Sequence, residues 1–320
     1  MNIVFSGSIA FDHLMTFPGY FRDYIMPDNL ESLSLSFLTD SKTLHRGGNA
    51  PNIAYNHVLL GGKATVLGTV GQDFHEYRLW LDNAGVDTNS IVEIKDEFTA
   101  SFYATTDLDN AQIASFYPGA MSHASKLKIS DLEFRPDLVV ISPDDPLAMR
   151  YRVQECKSMQ IPYLYDPSQQ IIRLERDDLY EGVMGADMIV LNHYEFSLLK
   201  DKISIDETSI VDREIVLVIT NGRHGSLIWS GDDYFEIPIF PENEVCDPTG
   251  VGDALRGGFL RAYAAGLPLD LCGRVGTLAA TYCLEQVGTQ NHNYTVSQFV
   301  DRFRLNYDDE GVLDVLDSKM

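Results

Sequence analysis

The chain has 320 residues, 45% hydrophobic and 22% charged, the balance of an ordinary globular protein. Its 24 basic and 47 acidic residues leave a net charge of −23, which argues against nucleic acid or an anionic membrane as partner, since both need basic surface. No apolar run approaches the ~18 residues of a membrane helix, and Cys156, Cys246, Cys272 and Cys283 form no C-x-x-C pair, so a zinc site or disulfide framework is not expected and a reducing cytoplasm is.

The first residues, Met1-Asn2-Ile3-Val4-Phe5-Ser6-Gly7, lack the basic start and long apolar stretch of a secretory signal and read as a strand entering a glycine turn. Residues 13–46 have no clear helical period and include Leu33-Ser34-Leu35-Ser36-Phe37. Arg46-Gly47-Gly48-Asn49-Ala50-Pro51-Asn52 then opens a helix-like run that reaches Leu60 and closes at Gly61-Gly62. Ala64–Val70, Asp137–Ser142, Ile161–Asp166, Asp187–Asn192 and Glu214–Thr220 are short apolar runs, each ending near Gly, Pro, Asp, Asn or Thr. Buried parallel strands look like this, with functional loops at their carboxyl ends. Helical stretches between them suggest βαβ units, hence a doubly wound α/β sandwich. Phe98–Thr106 and Ala111–Tyr117 flank the turn-rich Asp107-Leu108-Asp109-Asn110 and predict an antiparallel hairpin. With residues 13–46 it makes either a small second sheet acting as a lid or an ordinary surface hairpin.

The stretch Cys246-Asp247-Pro248-Thr249-Gly250-Val251-Gly252-Asp253 carries the chemistry. Residues 253–265 suit a helix stopped by Gly266 and Pro268, so Gly250-Val251-Gly252 turns the chain at a helix N-terminus. Backbone N–H groups and the helix dipole there can hold an anion without a lysine. Asp253, in the same turn, can take a proton from an attacking hydroxyl. Alone, the same residues equally describe a capped helix with a glycine turn. Gly47-Gly48 lets a ligand approach the backbone, and Asn52 offers a donor and an acceptor to a hydroxyl.

In their order and separation the two motifs resemble the signatures of the ribokinase-like (PfkB) family of sugar and nucleoside kinases. Asn192-His193-Tyr194-Glu195 is similar to the family's N-x-x-E, and Thr220-Asn221-Gly222-Arg223-His224-Gly225 to its nucleotide-binding T-x-G-x-x-G. The resemblance covers nearly the whole chain, taken as one kinase domain of residues 1–320 with lid segments near 13–46 and 98–118. It implies transfer of the γ-phosphoryl group of ATP to a hydroxymethyl group. Asp253 would be the base, with Gly250, Val251 and Gly252 as the anion hole. Asn192, Thr220, Gly222 and Gly225 would bind ATP, and Glu195 would hold Mg²⁺ through water. Asp247 and Thr249 fall where some members bind a monovalent cation such as K⁺. Lids in this family also pair subunits, which implies a homodimer. Leu255, where the family often has Phe, and Pro51, in a stiffer turn than usual, depart from the pattern.

Ser6–Met15, Leu33–Leu38, Gln112–Met121 and Asp166–Gln170 are in addition similar to segments of bacterial adenosine kinases of that fold. This narrower resemblance implies adenosine as substrate. Asp12 would grip the ribose 2′- and 3′-hydroxyls, with Ser8, Ser36, Gly48 and Asn52 beside it. Phe102 and Phe116 would sandwich the purine between them, Gln169 and Gln170 would reach base or ribose, and Arg173 the phosphates. Another nucleoside (inosine, guanosine, cytidine), a free sugar, and a non-catalytic nucleoside-binding protein on the same fold remain the alternatives. A free sugar would leave both phenylalanines without a base to stack on. A dinucleotide-dependent oxidoreductase does not fit, because no G-x-G-x-x-G follows the first strand.

Overall fold

The computed structural model describes residues 1–25 and 35–317. In chain order, β1 (Ile3–Ser6), β2 (Ala10–Thr16) and β3 (Ser41–Gly47) lead into α1 (Asn49–Leu59), β4 (Ala64–Val70), α2 (His75–Ala84) and β5 (Ile91–Glu93). The hairpin β6 (Ala100–Thr106) and β7 (Gln112–Tyr117) precedes β8 (Leu138–Ile141), α3 (Pro146–Met159), β9 (Tyr163–Tyr165) and α4 (Arg176–Met184). Next come β10 (Met188–Asn192), α5 (His193–Ile203), α6 (Glu207–Val211) and β11 (Val216–Thr220). β12 (Ser226–Ser230), β13 (Asp233–Ile237), α7 (Val251–Ala264), α8 (Leu269–Leu284) and α9 (Val296–Arg304) complete the order.

Nine strands form one sheet in the order β13-β12-β11-β10-β9-β8-β1-β4-β5, parallel except where β12 and β13 fold back antiparallel at the edge. The expected doubly wound architecture is therefore present. β1, β4 and β8 are buried along their whole length, as strands covered on both faces must be. Their side chains alternate between two cores. Ile3 and Phe5 join α1, α2, α7, α8 and α9, while Val4 joins α3, α4, α5 and α6. Among the described residues, no helix is long and apolar enough to cross a membrane.

The second sheet has the order β3-β2-β6-β7. Two antiparallel pairs, β2–β3 and β6–β7, are joined by a parallel pair, β2–β6. Only Gly7, Ser8 and Ile9 separate β1 from β2, and Gly48 alone separates β3 from α1. This small sheet thus grows directly out of the segments that lead to the site. Leu35, Ser36 and Phe37 lie in no strand, and Leu33 and Ser34 fall outside the described residues.

Glycine lets α7 pass between α1 and α8. A Cβ on Gly257 would lie 2.5 Å from Asn56 Cβ and 2.6 Å from the Ile53 carbonyl, and one on Gly276 would lie 2.7 Å from the Leu255 carbonyl. Gly257→Ala must therefore force two helices apart. It is expected to lower stability by about 1–3 kcal/mol in chemical denaturation. An unchanged midpoint would show that α1 is not fixed against α7 in this way.

Candidate active site

The two motifs, far apart in sequence, meet at one carboxylate. Gly48 (φ 92°) turns the chain from β3 into α1, and a Cβ there would lie 2.5 Å from the Ser8 carbonyl, so only glycine fits. That turn delivers Asn49, whose Nδ2 donates to Asp253 Oδ1 at 3.0 Å. One helical turn on, Asn52 Nδ2 donates to Asp253 Oδ2 at 2.9 Å. Ser8 supports the arrangement, its Oγ accepting from the Asn49 backbone N–H at 3.3 Å.

Asn52 is buried, and both ends of its amide are engaged within the protein. Its Oδ1 accepts from Gln290 Nε2 at 2.8 Å. Gln290 Nε2 also donates to Tyr77 Oη at 2.6 Å, and Gln290 Oε1 accepts from Trp80 Nε1 at 3.2 Å. Asn52 thus orients Asp253 in this structure, rather than presenting a free amide to a sugar hydroxyl.

Asp253 lies in the first turn of α7, preceded by Gly250 in a left-handed conformation (φ 78°). First-turn N–H groups have no acceptor inside their own helix, so they and the dipole favour an anion beside Gly250, Val251 and Gly252. Asp247 staples this loop. Its Oδ1 accepts from Thr249 N and its Oδ2 from Gly288 N, each at 2.9 Å. Burial works against the Asp247 charge, but these hydrogen bonds outweigh it and hold the carboxyl below its usual range.

Burial pushes the Asp253 carboxyl above the usual range, opposed by Arg256, Asn52 and Asn49 and reinforced by Glu195. A base of raised proton affinity is better matched to a hydroxyl near neutral pH than an ordinary aspartate. Asp12 is pushed up to about 6, first by burial and then by the charges of Asp247 and Asp253. These couplings bring Asp12, on the inner strand β2 of the small sheet, into the same electrostatic group as Asp253.

Strand register extends the site. Asp12 pairs with His45 on one side and Phe102 on the other, and Phe102 pairs with Phe116. Directly paired residues share a sheet face, so these four side chains form one transverse row. Phe102 is half-buried and Phe116 exposed. Side by side on one face, they make a single aromatic wall rather than two opposed jaws. His45 was not foreseen from sequence. It flanks Asp12 and sits against the loop of Gly288, where a Cβ would come within 2.8 Å of His45 Nδ1.

On the other flank, Asn192 and Thr220 are register partners at the carboxyl ends of β10 and β11. Gly222 (φ 52°) has open space where a side chain would begin, whereas a Cβ on Gly225 would strike the Ile237 carbonyl at 2.0 Å. Asn192 and Glu195 form a capping box at the start of α5, and Glu195 Oε1 also accepts from Ser168 Oγ at 2.8 Å. Gln170 is buried beyond β9, and its Oε1 has no hydrogen-bond partner. Gln169, Arg173 and Ser36 are exposed, and no contact draws them into the Asp253 group.

Among the described residues, no three Asp, Glu, His or Cys side chains gather as a cage that could hold a metal ion alone. Mg²⁺ keeps its waters and binds through one or two carboxylates and phosphates, a pattern that Glu195 fits. Each Glu195 oxygen accepts one hydrogen bond and retains a further lone pair for a metal-bound water.

A base clasped by two amides beside an anion-binding helix terminus is the equipment of a phosphotransferase with an alcohol acceptor. The sequence profile described as pfkB family carbohydrate kinase matches residues 20–295, and the chain belongs to this family. It is 34% identical to a nucleoside kinase of Methanothermobacter thermautotrophicus, over 82% of this chain and 85% of that protein. A nucleoside kinase of Methanocaldococcus jannaschii is 30% identical, over 88% and 93%. The nucleoside kinase of Burkholderia thailandensis in complex with inosine superposes with a TM-score of 0.86 at 32% identity, covering 96% of this chain and 99% of that one. These three are named nucleoside kinases, a broader description than the adenosine kinases suggested by the segment resemblance. As a family member, the chain is an ATP-dependent phosphotransferase.

Asn49, Gln290, Asp166 and Arg256 complete the site and were not assigned roles from sequence. Asn49 lies inside the first motif and Arg256 three residues beyond the second, whereas Gln290 has no local signal. Asn52→Leu would leave the Gln290 amide and an Asp253 oxygen without their partner. We expect a loss of about 1–3 kcal/mol per unpaired group in urea unfolding, and full retention of stability would count against the clasp.

Proposed function

We propose that the protein transfers the γ-phosphoryl group of ATP to the 5′-hydroxyl of a purine nucleoside, with adenosine as the substrate it serves best. The observation that carries this reading is the row Asp12–Phe102–Phe116 on the sheet face whose carboxylate is coupled to Asp253. A carboxylate accepts from two vicinal hydroxyls, as ribose presents them, and a flat aromatic wall beside it suits a nucleobase. A free sugar would leave that wall without a partner.

In the reaction the 5′-oxygen forms a bond to the γ-phosphorus as the bond to the ADP oxygen breaks, and the hydroxyl proton passes to Asp253. Charge on the transferring oxygens is met by the N–H groups of Gly250, Val251 and Gly252 and by the N-terminus of α7. Asn192, Thr220, Gly222 and Gly225 line the ATP side, with Arg173 at its edge. Glu195 would hold Mg²⁺ through water, where the ion would offset phosphate charge, and Asp247 and Thr249 would be the residues to hold K⁺ beside the Gly250-Val251-Gly252 turn. Ser8 and Gly48 support the ribose end and Asn52 acts there through Asp253, while Ser36 and Gln169 contribute from the rim. Adenosine is preferred on the resemblance of Ser6–Met15, Gln112–Met121 and Asp166–Gln170 to segments of bacterial adenosine kinases. Inosine is the second reading, favoured by the inosine complex of the Burkholderia thailandensis enzyme.

We take residues 1–320 as one kinase unit in which the small sheet closes over the nucleoside. A homodimer through that sheet is supported by its outward face, where Leu44, Tyr103, Ile113 and Tyr117 are exposed.

Purified protein with Mg-ATP should form ADP fastest with adenosine in a panel including inosine, guanosine, cytidine, ribose and fructose. Asp253→Asn should lower kcat by about 10²–10⁴-fold. Turnover mainly on a free sugar would sink the nucleoside reading, and binding of adenosine without turnover would favour a binding protein. Because the grip of Asp12 needs its carboxylate, KM for the nucleoside should rise as pH falls through about 6. Asp12→Asn should abolish that inflection, and an unaltered inflection would remove Asp12 from the ribose site.

A further inference from the structure

The chain as a whole carries a net charge of −23, yet a buried cation lies behind the Gly250-Val251-Gly252 turn. Arg256, one turn beyond Asp253 on α7, is buried, and its Nη1 sits 2.9 Å from where a Cβ on Gly252 would be. Its Nε is 2.8 Å from Asp166 Oδ2, with both side chains almost wholly enclosed, and its Nη2 donates to the Val190 carbonyl at 3.2 Å. Asp166 follows β9, and Val190 lies in β10, so the guanidinium is pinned to the parallel sheet at the carboxyl ends of its strands.

We propose that Arg256 and Asp166 form a positioning pair for the base: lodged beneath Gly252, the guanidinium keeps Asp253 a carboxylate, and Asp166 limits how much of that positive charge Asp253 feels. The catalytic meaning of the pair rests on the phosphotransfer reading above. A buried charge needs a partner, and here one guanidinium is shared between two carboxylates. Removing the cation must raise the proton affinity of Asp253, whereas removing the Asp166 charge must lower it.

The other groups facing Asp253 have the following places. Asn49 and Asn52 approach from α1, Asp12 from β2, Tyr77 from α2, Glu195 from α5 and Cys283 from α8. Burial opposes the charge of Arg256, but Asp166, Asp253 and Glu195 outweigh it and raise its proton affinity above that of an ordinary arginine. Asp166 is pushed up to about 7 by burial, despite Arg256.

The test follows the ¹³C carboxyl resonance of Asp253, assigned as the signal lost in Asp253→Asn, against pH, alongside the acid limb of kcat/KM. Arg256→Gln should move both midpoints up by about 1 pH unit or more. Arg256→Lys should return them towards the wild-type value, and Asp166→Asn should move them down. A folded Arg256→Gln protein with unmoved midpoints would overturn the proposal, as would Asp166→Asn shifting upwards. If Arg256→Gln does not fold, Asp166→Asn decides alone, and an unmoved midpoint overturns the pairing. An inert wild-type protein whose Asp253 resonance still shifts as expected would support the pairing and overturn the catalytic reading.

Discussion

The clasp of Asn49 and Asn52 on Asp253 is the contact on which the site depends. It fixes the N-terminus of α7 against that of α1, and so sets the Gly250-Val251-Gly252 turn relative to the sheet that carries Asp12. Asp253 would be costly to bury as an unsupported carboxylate. Two amide donors lower that cost without neutralising the charge, and each oxygen keeps a lone pair for the substrate hydroxyl. The amides are themselves held: Asn52 by Gln290, and Asn49 by the turn that only glycine at position 48 permits. Rigidity in the second layer thus gives direction to the first.

Much of the fold was legible because parallel strands buried on both faces write themselves as short apolar runs. Ala64–Val70 is β4 to the residue, and β8 to β11 lie within the expected runs. The edge pair β12–β13 was not legible. In β13, the outermost strand, the exposed Tyr234 and Glu236 alternate with Phe235 and the buried Ile237, as an edge with one wet face does. The small sheet was foreseen as a hairpin with an added segment, but the parallel pairing of β2 with β6 depends on how two distant loops meet. No local pattern encodes that.

The site divides the same way. Asp253 and the glycines stand in a motif whose chemistry can be argued from residue type. Gln290 lies in a segment with no motif, and its role exists only once three helices have packed. Arg256 was in plain view, yet composition directed attention to backbone dipoles for anion binding, because the chain is so acidic. A single cation buried in low dielectric acts more strongly than many on a wet surface, so net charge says little about the potential at one atom.

The span of the clasp has a consequence for how the molecule comes into being. Asn49 and Asp253 are 204 residues apart in the chain. β1 pairs with β4 and β8, and each later parallel strand adds to the one before it. During synthesis on the ribosome the sheet can therefore grow through β11 while Asn49 and Asn52 still lack their carboxylate. Only when α7 has emerged and slid between α1 and α8 does the base acquire its donors. A nascent chain can thus own most of its sheet before Asp253 meets its donors, because α7 lies in the last quarter of the polypeptide.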